Sequence, residues 1–137
     1  MTRRARLIAA ALALGGLGAG PPALAAPDAL RGETIYTRCA ACHALAFDRV
    51  GPRHCGLFGR RAGSVLDFTY STAMKQSTFV WDEKTLDRFL ATPMKAIPGT
   101  TMTYDGISDP LERADLIAYL RQVDRTPACR GSPPLQR

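Results

Sequence analysis

Nowhere in the 137 residues do apolar and polar positions alternate long enough to mark a half-buried strand, so essentially no sheet is expected. No internal repeat is present, which excludes solenoids and arrays. Aromatic residues make up only 7% of the chain, and neither an aromatic platform nor a basic helix points to nucleic acid. Beyond residue 25 no segment is apolar enough to span a bilayer, so stable membrane insertion is not expected.

What is present begins with a processing signal. Arg3, Arg4 and Arg6 precede an apolar run from Leu7 to Ala19, and Ala23-Leu24-Ala25 supplies small residues for cleavage. The run is shorter than the roughly 20 residues needed to span a bilayer. Glycines 15, 16, 18 and 20 interrupt it. The expected layout is a removed leader over 1–25, one domain over 26–126 and an irregular tail over 127–137, in an exported periplasmic protein. The full chain carries 18 Lys+Arg against 12 Asp+Glu, or +6. The leader holds three Arg and no acid, so Ala26–Arg137 has 15 against 12, or +3.

Helical signals follow. Asp28 is a good N-cap for a helix running to about His43, with Ile35, Cys39 and Cys42 on one face. A short helix is expected around Ser71–Gln76. Asp82 caps another that carries Leu86, Phe89 and Leu90 and stops at Thr92-Pro93. From Ile97 to Gly106 a loop is expected. Asp109, Pro110 and Glu112 then form an N-terminal signature for a last helix with Leu116, Ile117, Leu120 and Val123 on its apolar face. A few helices joined by long Gly-rich loops make a poor core alone, so a large apolar cofactor is expected to fill it.

Cys39-Ala40-Ala41-Cys42-His43 is the C-x-x-C-H signature of c-type haem attachment. Two thiols one turn apart can form thioethers along one haem edge, and His43 then lies beneath the iron. A thioredoxin-type pair would need a βαβ context, which is missing. A four-cysteine zinc site would leave His43 without a role. For the sixth iron ligand the candidates are Met74, Met94, Met102 and His54. Met102 ends the stiff run Ile97-Pro98-Gly99-Thr100-Thr101, suited to a fixed approach to iron. Met94 and Met74 read as packing residues, and His54 reads as an ordinary loop histidine.

The chain resembles class I cytochromes c of the mitochondrial and bacterial-photosynthetic type. The resemblance rests on several motifs in order. Gly32, Ile35-Tyr36 and Cys39–His43 match the first helix. Gly51-Pro52, Gly56-Leu57-Phe58-Gly59-Arg60 and Tyr70 match the proximal loop. Trp81, Leu86, Leu90, Ile97–Thr100 and Met102 match the distal side, and Asp115–Leu120 the last helix. It spans about Arg31–Arg121.

That resemblance implies an all-α fold wrapped around one covalent haem c, with His43 and Met102 on the iron. It implies that the Pro52 carbonyl orients His43. It implies that Arg60, Tyr70, Trp81 and Thr100 hydrogen-bond the propionates, and that Gly32 lets the first and last helices cross closely. Phe89 stands where the mitochondrial form has a Tyr, and Met94 and Thr101 replace lysines around the exposed haem edge. Two propionates would bring the mature charge to about +1. In the resembling fold the end of the last helix runs back along the proximal side. Cys55 and Cys129 are therefore expected to form a disulfide.

The function implied is one-electron transfer in a respiratory or photosynthetic chain, by a monomer that is not an enzyme and whose partners are redox proteins. A cytochrome dedicated to one periplasmic dehydrogenase is a second reading. A peroxidase-like enzyme or a gas sensor would require Met102 to stay off the iron.

Overall fold

The computed structural model describes residues 26–130. The expected leader, and the expected tail beyond Arg130, lie outside the described residues. The described residues form five helices: α1 (Ala29–Tyr36), α2 (Thr72–Gln76), α3 (Glu83–Ala91), α4 (Pro93–Ala96) and α5 (Pro110–Val123). Among the described residues the only β pairing is an isolated bridge between Arg61 and Val80.

The caps explain where the helices begin. The Asp28 carboxylate accepts from the amides of Leu30 (2.9 Å) and Arg31 (3.3 Å) and starts α1. Asp82 and Thr85 exchange hydrogen bonds in a capping box that starts α3. Asp109 accepts from the Leu111 amide (2.8 Å), and Pro110 opens α5. Glu112 does not complete a box there. Its carboxylate instead takes both arms of the Arg38 guanidinium, at 2.7 and 3.0 Å.

One boundary and one added turn differ from the expectation. α1 ends at Tyr36 rather than near His43, because its continuation tightens into turns. The Arg38, Cys39 and Cys42 amides each donate to the carbonyl three residues back, at 3.1, 2.8 and 3.0 Å. α3 ends at Ala91, ahead of Thr92-Pro93 as expected, but Pro93 then opens one more helical turn, α4, that was not expected. Pro93 restarts a helix because its missing N–H lies among the amides a first turn leaves unpaired.

α1 and α5 cross at Gly32. A Cβ at this position would lie 2.0 Å from the Asp115 carbonyl oxygen, so only glycine permits the approach. Asp115, on the otherwise apolar face of α5, is buried at the crossing. It accepts from the Asp28 amide (2.7 Å) and from the Arg31 guanidinium. The apolar core gathers Ile35, Tyr36, Leu86, Phe89, Leu90, Leu116 and Leu120. A smaller cluster joins Val123 to Cys55 and Cys129, which are disulfide-bonded with Cα atoms 5.1 Å apart. No helix among the described residues is long and apolar enough to cross a membrane.

Candidate functional site

The helices enclose a cavity of about 340 Å³. The turns after α1 bring Cys39, Cys42 and His43 to its wall. Both thiols are free, Cys39 half-buried and Cys42 exposed. The two are linked by the Cys42 amide donating to the Cys39 carbonyl, so the sulfurs belong to one turn.

His43 is fixed from its far side. Its Nδ1 lies 2.7 Å from the Pro52 carbonyl oxygen, and since that oxygen can only accept, Nδ1 carries the proton. Nε2 is then left with a lone pair. Burial lowers the His43 pKa despite the Pro52 hydrogen bond, so the ring is neutral, the form that ligates metal. Gly51 lets the backbone lie against this ring: a Cβ there would fall 2.3–2.6 Å from Cε1, Nε2 and Nδ1. The Gly51 amide donates to the Cys42 carbonyl (2.7 Å) and ties the loop to the cysteine turn.

The remaining residues expected at the site reach the same cavity: Pro52, Arg60, Tyr70, Trp81, Thr100 and Met102. Trp81 is buried between Phe79 and Phe89, with ring centroids 5.8 and 5.1 Å away. Thr100 shapes the Met102 loop, its Oγ1 accepting from the Met102 amide at 3.2 Å. Arg60 is buried, and its guanidinium donates to the carbonyls of Arg53 (2.9 Å) and Cys55 (3.2 Å). Arg60 thus braces the proximal loop, a role its side-chain type gave no sign of. Burial raises the Tyr70 hydroxyl pKa, so it remains a neutral donor.

The candidate ligands separate. Met102 and Met74 both line the cavity, Met74 from the core. Met94, expected to pack, is instead 48% exposed, because α4 turns it outward. His54 is not an ordinary loop residue: it lines the cavity and stacks on His43, with centroids 4.3 Å apart and planes 19° apart. The four-cysteine zinc alternative fails on geometry. Cys55 is bonded to Cys129, and among the described residues no three His, Cys, Asp or Glu converge as a metal cluster.

Two free thiols, a neutral imidazole with an unprotonated nitrogen and a thioether around one apolar cavity fit a covalently held haem. The cytochrome c family profile matches residues 29–124. This chain belongs to the cytochrome c family. It is 44% identical over 101 residues to a cytochrome c2 of Rhodomicrobium vannielii, covering 72% of this chain and 81% of that protein. It is 46% identical over 102 residues to a cytochrome c of Chlamydomonas reinhardtii, covering 72% and 91%. The structure is similar to that of cytochrome cH from Methylobacterium extorquens, with a TM-score of 0.67 and 43% identity, covering 69% of this chain and 98% of that one. As a class I c-type cytochrome, the protein is an electron carrier with one covalent haem c and is not an enzyme.

Proposed function

We propose that this cytochrome shuttles single electrons between periplasmic redox proteins of a respiratory or photosynthetic chain, as a monomer, with Cys39 and Cys42 holding the haem and His43 and Met102 as its axial ligands. The leader pattern from Arg3 to Ala25, with cleavage before Ala26, and the likeness to a bacterial cytochrome c2 support the periplasmic setting. The observation that carries the ligand assignment is the Nδ1–Pro52 hydrogen bond, which leaves Nε2 of a neutral His43 available at a cavity that Met102 also lines.

When bound, haem c supplies the Fe(III)/Fe(II) couple. The protein's own residues do the rest. Pro52 and Gly51 hold His43, and the Ile97–Thr100 turn holds Met102. Trp81, Phe89, Leu90 and Leu120 keep water from the cavity. Arg60, Tyr70, Trp81 and Thr100 offer hydrogen-bond donors to the propionates. Cys42 is exposed and lines the cavity together with Tyr104, which gives electrons a short path to a partner.

The test of ligation is spectroscopic. The oxidised protein should show the weak far-red band of sulfur-to-iron charge transfer, and Met102→Ala should abolish it. Met102→His should lower the reduction potential, because a thioether favours Fe(II). An unchanged spectrum and potential in Met102→Ala would transfer the role to Met74, the other methionine at the cavity.

A further inference from the structure

His54 has no role in the site as described so far, yet both its ring and its backbone amide are held. Its Nδ1 lies 3.0 Å from the Tyr36 hydroxyl at the end of α1, and the two rings meet edge-on with centroids 5.6 Å apart. Its backbone amide donates to the carbonyls of Ala44 and Leu45, both at 3.1 Å. The next residue, Cys55, donates to the Leu45 carbonyl (2.7 Å) and is bonded to Cys129. The flat face so fixed is laid on His43, 19° from parallel.

A single hydrogen bond from His43 Nδ1 to Pro52 sets the direction in which Nε2 points. By itself it leaves the ring free to swing about the N···O line, and contact with the Gly51 backbone limits that swing only in part. A stacked face removes the freedom that remains. The plane of an axial imidazole sets its π overlap with the iron d orbitals, so whatever fixes the plane also tunes the iron. We propose that His54, clamped by the Tyr36 hydroxyl, is a positioning residue that sets the plane of the His43 imidazole and, through it, the electronic state of the haem iron. This rests on His43 being the proximal ligand.

The test is proton NMR of the oxidised holoprotein, where haem-methyl shifts report the axial ring plane, together with the midpoint potential. His54→Leu should change the order or spread of the haem-methyl resonances and shift the potential. Tyr36→Phe, which removes only the clamp, should move the methyl pattern in the same direction and by less. The double variant should match His54→Leu, since both act through one ring. His54→Leu leaves His43 as the sole histidine of a chain that has two, which separates the outcomes. If hyperfine-shifted imidazole signals vanish in that variant, His54 is the ligand, and both the ligand reading and this proposal fall. Should they persist with wild-type methyl shifts and potential, the positioning role alone falls. In case His54→Leu yields no holoprotein, Tyr36→Phe decides, and a methyl pattern identical to wild type overturns the proposal.

Discussion

Asp115 concentrates much of the helix crossing in one carboxylate. The Arg31 guanidinium bound to it, helped by the Asp28 amide, holds its pKa below the ordinary 3.8. A carboxylate with a depressed folded-state pKa stabilises fully above the unfolded value and loses that contribution as pH falls through the folded one. The window therefore lies below pH 3.8. Asp115→Asn should melt below wild type at pH 7, and the gap should narrow as pH drops under 3.8; thermal melts across pH measure it. A gap that is constant with pH would show that the carboxylate's charge is not what stabilises the crossing. Single residues were also where the sequence was hardest to read. The C-x-x-C-H signature is legible because its chemistry depends on spacing alone. His54 and Arg60 act through a loop whose path no local pattern encodes. Asp115 sits on a face that reads as apolar because its partners lie more than 80 residues away in sequence.

At the scale of elements, the α1–α5 crossing turns on Gly32. Gly32→Ala would push a methyl group into the Asp115 carbonyl, which is backbone and cannot rotate aside. The expected cost is about 2–3 kcal/mol, the range of overpacked cores, read as a lower denaturation midpoint with unchanged slope. Tyr36 and Tyr119, with centroids 5.4 Å apart across the same crossing, would separate with it. Helix starts were legible at Asp28, Ser71, Asp82 and Asp109, because capping is a contact between near neighbours. The ends were less so. α1 stops early because its last turns tighten, and the Glu112 carboxylate is taken by Arg38, 74 residues away. The second of those outcomes is decided by a tertiary partner.

The whole molecule has modest helix content around a cavity, so covalent restraint matters more than in a domain with a full core. The Cys55–Cys129 bond fastens the end of α5 to the proximal loop and closes a 74-residue separation. Chain entropy puts its contribution at about 4 kcal/mol at most, and a covalent haem that already restrains the unfolded chain reduces it. The paired variant Cys55→Ala/Cys129→Ala should lose about 2–3 kcal/mol and melt roughly 10 °C lower while keeping its haem. Thiol titration of denatured holoprotein without reductant should find no free thiol; two would remove the bond from the account. The need for a cofactor at the centre was legible from the poverty of the core, and the family from motifs in order. The cavity's bracing was not, because it is built from loop carbonyls.

The same bond imposes an order on assembly. Four cysteines allow six pairs, and any pair that includes Cys39 or Cys42 would consume a sulfur that the proposed attachment requires. Only Cys55 with Cys129 spares both. Yet Cys39 and Cys42 are three residues apart and Cys42 and Cys55 thirteen, whereas the productive partners are 74 apart. Short loops close at lower entropic cost, so an oxidant reaching the nascent chain first would favour unproductive bonds. These then need thiolate exchange to undo. On the proposed attachment, maturation would be a race between two sulfur chemistries, in which Cys39 and Cys42 must be kept reduced until they are consumed while the last helix folds back to present Cys129. Yield of finished protein should be governed as much by the timing of oxidation as by the stability of the product.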